Sequence, residues 1–107
     1  VEVYEGDSFR RDMSYHQGIT WPWLLGIYYD SFKKIIEASN KTEKKELQER
    51  YNKFVQGVKN TFIKEFYEGK TVEGISELYD SVKPFESKGT INQAWSIAEI
   101  LRIILEN

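Results

Sequence analysis

Three aromatic rings, an imidazole and an amide lie within nine residues, in the segment 15–23 that reads YHQGITWPW. Aromatic faces stack on the apolar faces of a pyranose, and histidine and glutamine side chains can hydrogen-bond to its hydroxyl groups. This combination favours a sugar-binding site formed by Tyr15, His16, Gln17, Trp21 and Trp23. One alternative stays open: the tryptophans are core anchors at the start of a helix, and His16 is a buried imidazole whose hydrogen bonds are satisfied.

The same segment resembles the YHQG-x-x-WPW motif of the amylo-α-1,6-glucosidase domain, the C-terminal part of glycogen debranching enzymes and of their archaeal and bacterial relatives. Two later segments resemble motifs of that family in the same order. They are GISEL at 74–78, similar to an "I-x-E-L/I" loop, and NQAWSIAE at 92–99, similar to a closing "QAWS-x-A-E" helix. Each match alone is weak, but three in order, from Tyr15 to about Leu101, are specific.

Hydrolysis of a glycosidic bond requires two carboxyl groups, an acid for the leaving oxygen and a second group that activates water or attacks carbon. By its motif, Glu77 resembles the carboxylate that looks like the family's general base; on spacing alone it would be a solvated loop glutamate. The family's general acid belongs to an upstream segment that this sequence does not contain. The resemblance therefore implies that the chain is inactive alone.

The resemblance also implies a fold and further site residues. The family is similar to a six-hairpin (α/α)6 barrel related to glucoamylase, and residues 1–107 would form the terminal portion of such a barrel. The segment 15–23 would then line the sugar pocket. Gln93 and Trp95, which open the last helix, would support the Glu77 loop, and for Trp95 a purely structural role is equally open.

The sequence departs from the family's pattern at two places. Ile19 precedes Thr20 where the family usually has threonine directly after the glycine. The tripeptide Lys88-Gly89-Thr90 stands where Arg-Gly-Cys is usual. Because lysine cannot reproduce arginine's bidentate fork, we expect the finer sugar contacts to differ.

Hydrophobic periodicity predicts an all-α domain of about three helices. The first runs from about Trp21 to Ala38 with Thr20 as N-cap, the second from about Glu43 to Tyr67 with Thr42 as N-cap, and the third from about Ile91 to Leu105. The second is apolar on one face only and should lie outside, packed antiparallel to the first. The first and third are apolar on more than one side, so they require neighbours that these helices do not supply.

Two segments lack a helical period. Residues 1–13 are charged and irregular, which predicts a loop, and residues 69–89 contain turn-forming residues with too few periodic apolar positions for a helix. A loop of this length in a compact domain is usually functional or disordered. Its aromatic and aliphatic residues argue against disorder, so we expect a functional loop.

Composition excludes several classes of function. Fifteen basic residues against 17 acidic ones, without a basic block, give no electrostatic reason to expect nucleic acid or an anionic membrane as partner. With no cysteine and one histidine, we expect no metal and no cofactor. Apolar runs well short of the roughly 20 residues that cross a bilayer, with no leader peptide, predict a soluble cytoplasmic domain.

Three functional hypotheses follow. The first is a piece of a debranching-type α-1,6-glucosidase that acts on a branched α-glucan or maltooligosaccharide and needs an upstream barrel fragment. The second is a non-catalytic helical remnant, structural or carbohydrate-binding, whose apolar faces are covered by homo-oligomerisation. The third is a generic helical interaction module with no role in sugar binding.

Overall fold

A computed structural model describes residues 1–71 and 73–107 of the chain. The elements are α1 (Ser8–Ser14), α2 (Leu24–Ala38), α3 (Lys41–Glu68), β1 (Leu78–Tyr79), β2 (Ser87–Lys88) and α4 (Ala94–Leu105). The described part of the chain is thus mostly helical with one small sheet, in agreement with the predicted all-α class. Its place in a larger barrel stays a prediction. No helix in these two ranges is both long and apolar enough to span a membrane.

The three longer helices pack against one another in every pairing, α2 with α3, α2 with α4 and α3 with α4. Their apolar side chains meet the buried loop residues Ile75 and Tyr79 in one main core. Full burial of one such side chain contributes roughly 1.5–3 kcal/mol. The buried helical members are Tyr29, Phe32, Ile36, Tyr51, Val55, Val58, Ile100 and Ile103.

Helix α2 begins at Leu24, and the predicted start at Trp21 with Thr20 as N-cap is wrong. Thr20 instead forms an antiparallel bridge with Tyr79: its N–H donates to the Tyr79 carbonyl at 3.0 Å, and its carbonyl accepts from the Tyr79 N–H at 2.8 Å. The residues between Thr20 and Leu24 form a turn in which the Leu24 N–H donates to the carbonyl of Trp21 at 3.2 Å. This long-range pairing holds the chain extended where a cap residue was expected.

Helix α3 begins at Lys41, and its cap is Asn40 and not the predicted Thr42. The Asn40 Oδ1 accepts hydrogen bonds from the N–H groups of Thr42 and Glu43, both at 3.0 Å. Two otherwise unpaired donors of the first turn are thereby satisfied. The helix ends at Glu68, one residue beyond the predicted end at about Tyr67, and the N–H of the following Gly69 donates to the Glu65 carbonyl at 2.8 Å.

The N-terminal segment contains a helix, so the prediction that residues 1–13 form only a loop is wrong. Helix α1 is capped by Asp7, whose Oδ1 accepts from the Arg10 N–H at 2.9 Å. Its seven residues span two turns, which is too short for an apolar period to show in the sequence. Upstream, Tyr4 packs on a second small core of Ile19, Trp21 and Leu78.

The segment 69–89 is an ordered loop in its described part. The two short strands pair antiparallel, Leu78 with Lys88 and Tyr79 with Ser87. Residues 74–80 are buried against the helices. Helix α4 then begins at Ala94, three residues later than predicted, because Gln93 has extended backbone and its N–H donates to the Ile75 carbonyl at 3.0 Å.

Candidate functional site

Glu77 is held at both carboxylate oxygens. It directly precedes β1, and the residue is 8% exposed. Its Oε1 accepts a hydrogen bond from the Tyr15 hydroxyl, and its Oε2 accepts from the Thr90 N–H at 2.9 Å. The Glu77 N–H in turn donates to the Thr90 carbonyl at 2.9 Å. Backbone and side chain of the predicted base are therefore both fixed.

Gly89 provides the space for this carboxylate. Its φ is +70°, a conformation that favours glycine, and a Cβ at this position would lie 2.5 Å from the Glu77 Oε2. A residue with a side chain would therefore meet both backbone strain and a steric clash. The glycine of the Lys88-Gly89-Thr90 segment is required locally by Glu77.

The ring of Tyr15 connects Glu77 to a cluster of aromatic side chains. It packs edge-on against Trp21 at 4.6 Å and against His16 at 4.9 Å between ring centroids. The imidazole of His16 stacks on the indole of Trp21 at 5.6 Å. The Trp21 indole N–H donates to the Tyr15 carbonyl at 3.1 Å, so the two residues fix each other.

These rings line an open groove of about 510 Å³, which we call the aromatic groove. Its residues are Tyr15, His16, Trp21, Trp23, Leu24 and Trp95. Trp23, which precedes α2, and Trp95, in the first turn of α4, stack at 5.4 Å, so two chain segments distant in sequence build the same wall. The size lies within the range of small-ligand sites, roughly 300–1,000 Å³.

Exposure differs among the rings of the groove. His16 is exposed, which contradicts the alternative of a buried imidazole, and Trp95 is 47% exposed. Trp21 is 8% exposed and belongs to the small core, so for this residue the alternative of a core anchor describes its packing. Ring faces available to a ligand therefore come mainly from His16, Trp23 and Trp95.

Three of the residues expected at the site, Gln17, Gln93 and Glu77, lie outside the groove lining. Gln17 is exposed, and its carbonyl accepts from the amino group of Val1 at 2.7 Å. Gln93 supports the Glu77 loop through its main chain, by the bond to Ile75. The Glu77 carboxylate is not part of the groove lining and is connected to it through Tyr15.

The sequence prediction missed two groups that shape the site. The N–H of Thr90 is one, and a backbone donor leaves no trace in residue type. The other is Gly89. A glycine in a loop can indicate a positive φ or a close approach, but its segment stands out in the sequence only as a departure from the family pattern. Leu24 also lines the groove, and an apolar residue at the start of a helix carries no sequence signal for such a role.

Two other loop carboxylates that could be considered as a general acid, Asp80 and Glu86, have structural partners. Asp80 is buried, accepts from the Tyr4 N–H at 2.8 Å and lies 3.7 Å from the Lys88 ammonium. Glu86 accepts from Lys70 at 2.9 Å, and this hydrogen bond lowers the pKa of Glu86. A general acid requires a raised pKa, so Glu86 is unsuited to that role.

Across ranges 1–71 and 73–107, no three side chains of histidine, cysteine, aspartate or glutamate gather in positions that could hold an ion. The candidate site consists of one fixed carboxylate, one exposed imidazole and several aromatic faces.

The described structure thus links one fixed carboxylate, through Tyr15, to a groove lined by aromatic rings. The family model of amylo-alpha-1,6-glucosidase matches residues 1–102, and the chain belongs to this family. The match confirms the resemblance of the three motifs and is consistent with a segment from the C-terminal end of that domain. No curated protein and no solved structure matches the chain significantly.

Proposed function

We propose that this chain supplies the general base and part of the glucose subsite of a glycogen debranching-type α-1,6-glucosidase. The observation that carries the proposal is the position of Glu77, fixed at both oxygens and joined through Tyr15 to the aromatic groove. Family membership supplies the reaction class, hydrolysis of an α-1,6-glucosidic bond in a branched α-glucan.

In this role the Glu77 carboxylate accepts a proton from the water that attacks the anomeric carbon. A carboxylate offers about four lone-pair positions, and the bonds from Tyr15 and Thr90 occupy two of them. The remaining positions are available to a water molecule. The exposed face of Trp95, which stacks on Trp23 on its other side, packs on the apolar face of a glucose ring, and His16 bonds to the sugar's hydroxyl groups.

The proposal includes a second component. General acid catalysis contributes about 10²–10⁴-fold to the rate, and no loop carboxylate described above is placed to supply it. We therefore infer that the isolated chain does not turn over substrate. Catalysis requires the upstream part of the domain, which carries the acid.

Exposed apolar surface on α2 and α4 supports a partner of this kind. On each helix, large apolar side chains outside the aromatic groove stay about half exposed or more, where a monomer would normally place polar groups. They are Ile27, Tyr28 and Ile35 on α2, and Leu101 and Leu105 on α4. We call them the apolar stripes. In a complete barrel, neighbouring helices would cover them.

The test is reconstitution. The chain is mixed with the upstream fragment of the domain, and glucose release from branched limit dextrin is measured, with Glu77→Gln as the matched variant. Activity is expected only for the mixture, and the Gln variant should lose at least about 10²-fold because it cannot accept the proton. Turnover by the isolated chain, or full activity of the Gln variant, would contradict the proposal.

Sugar binding can be tested on the chain alone. All three tryptophans of the sequence line the aromatic groove, so intrinsic fluorescence reports on this site specifically. Titration with a maltooligosaccharide should change the emission, and Trp95→Ala should weaken the effect. No response from the unaltered chain would favour the third hypothesis, an interaction module without a role in sugar binding.

The apolar stripes also fit the second candidate, a non-catalytic remnant that associates with copies of itself. Light scattering separates the two. A stable homo-oligomer that does not exchange with the upstream fragment supports the remnant, and a chain that forms a one-to-one complex with that fragment supports the glucosidase.

A further inference from the structure

We propose that Tyr15 is a positioning residue for Glu77 and does not contact the sugar, although its place in the segment 15–23 predicts a sugar contact. This inference rests on the proposed role of Glu77 as the base. The Tyr15 hydroxyl donates to the Glu77 Oε1. A tyrosine hydroxyl carries one hydrogen, so while it donates to the carboxylate it cannot donate to a sugar hydroxyl.

The environment of Tyr15 fixes where this hydroxyl lies. Its ring is half-buried and packs edge-on against Trp21 at 4.6 Å and at a tilt against Tyr4 at 5.8 Å. Its carbonyl accepts from the Trp21 indole at 3.1 Å. Because ring and backbone are both held, little side-chain freedom remains to be lost when the hydroxyl bonds to Glu77.

Tyr15 and Thr90 act on different oxygens of the same carboxylate. The Thr90 N–H holds Oε2 at 2.9 Å, and Tyr15 holds Oε1, so together they determine the rotation of the carboxylate plane. The orientation of the plane decides whether a free lone pair is directed at the attacking water. Loss of the Tyr15 hydroxyl would leave one oxygen free to rotate, without removing any stacking face of the groove.

The first test uses the chain alone and the variant Tyr15→Phe, which retains the ring. Tyr4→Phe is the matched control, because Tyr4 belongs to the same cluster and no hydrogen bond joins it to Glu77 in the described structure. Carbodiimide-promoted coupling of an amine to Glu77 is followed by peptide mass spectrometry, with exposed Glu73 as internal reference. Coupling at Glu77 should rise several-fold in Tyr15→Phe alone; equal coupling in all three proteins would overturn the proposal.

The second test separates positioning from sugar contact. In the reconstituted enzyme, Tyr15→Phe should lower kcat by about ten- to a hundredfold, the equivalent of a hydrogen bond to a charged group, with KM within about twofold. Fluorescence titration should likewise give a maltooligosaccharide affinity within about twofold of the unaltered chain. A tenfold or greater loss of affinity would identify Tyr15 as a sugar contact, and unchanged kcat with raised coupling would also overturn the positioning role.

Failure of the proposed function would be visible separately. A chain that binds no sugar, or a Glu77→Gln variant that remains active after reconstitution, contradicts the role of Glu77 itself. The coupling experiment needs neither sugar nor turnover, so it still reports whether Tyr15 holds the carboxylate.

Discussion

Gly89 shows how one missing side chain shapes the site. Because its φ is +70° and a Cβ would lie 2.5 Å from the Glu77 Oε2, we predict that Gly89→Ala lowers the free energy of unfolding by roughly 1–3 kcal/mol and displaces the carboxylate. Urea unfolding measures the first effect, and carbodiimide coupling at Glu77 measures the second.

The control for this prediction is another glycine. Gly57 lies within α3, and apart from the neighbouring residues and backbone of its own helix, no atom of the described residues lies within 4 Å of the place where its Cβ would be. Gly57→Ala should therefore raise the unfolding free energy by roughly 0.5–1 kcal/mol, because alanine has the better helix propensity. Equal effects of the two substitutions would contradict the account of Gly89.

The sequence indicates which residues belong to the candidate site, but it does not indicate the contacts that hold them. The three short motifs single out Glu77 and the aromatic residues that line the groove, because the proposed sugar chemistry would restrict the residue types at those positions. The bond from Tyr15 to Glu77 joins residues 62 apart in sequence, and the other donor is a backbone N–H. Neither contact changes any local pattern, so neither could be predicted from the sequence alone.

The start of α3 allows a direct test of helix capping. Asn40→Ala should lower the free energy of unfolding by about 1 kcal/mol, because it removes the acceptor for two N–H groups of the first turn. Thr42→Ala should change it little, since no bond from the Thr42 hydroxyl caps the helix in the described structure. Thermal unfolding of both variants decides between the predicted and the observed cap.

The seam between α2 and α4 carries an ion-pair cluster. The Arg102 guanidinium binds both oxygens of Asp30, at 2.9 and 3.0 Å, and the Glu99 carboxylate at 2.7 Å. The hydrogen bond from Arg102 holds the pKa of Asp30 below its ordinary value of 3.8. A lowered folded-state pKa contributes stability that is present above the unfolded pKa and is lost as the pH falls through the folded value.

We therefore predict that the melting temperature falls on acidification below about pH 4, and that Asp30→Asn makes this fall shallower. The Asp30 side chain is 47% exposed, so solvent and salt screen the pair and the difference should be small. Melting curves between pH 2.5 and about 6, at low and high salt, measure it. If the difference in melting temperature between the unaltered chain and Asp30→Asn does not decrease at high salt, the effect of Asp30 is not electrostatic.

Sequence periodicity gave the three long helices but not their first residues. An apolar repeat continues past either end of a helix whenever the adjoining loop is also buried. This is the case at Trp21, which precedes α2. The true start depends on partners elsewhere: Thr20 pairs with Tyr79 and Gln93 bonds to Ile75. These pairings arise only when the loop folds back on the helices, so local residue patterns do not contain them.

For the molecule as a whole, the periodicity correctly predicted more apolar surface than the chain itself covers. The apolar stripes on α2 and α4 are that surface, with Ile27 and Leu101 each about half exposed. The sequence does not identify a partner for the stripes, because the helices α1 to α4 leave these side chains exposed and no local pattern indicates what would pack on them. Binding experiments have to supply that part of the structure.

We predict that Ile27→Lys combined with Leu101→Lys abolishes association with the upstream fragment while the chain still folds. Both side chains are half exposed, so the core loses little packing, whereas an interface would have to bury two unpaired ammonium groups at several kcal/mol each. Ile63→Lys on α3 is the control, since its side chain is 46% exposed but lies on the largely polar helix.

Circular dichroism should show the helical content retained in both variants. Sedimentation velocity with the upstream fragment should show a complex for the unaltered chain and for Ile63→Lys, and none for the double variant, whose affinity falls by at least about a hundredfold. If the double variant still forms the complex, the stripes are not the surface on which the rest of the domain packs. If Ile63→Lys also prevents the complex, the docking surface extends onto α3, and the expected outer position of that helix is wrong.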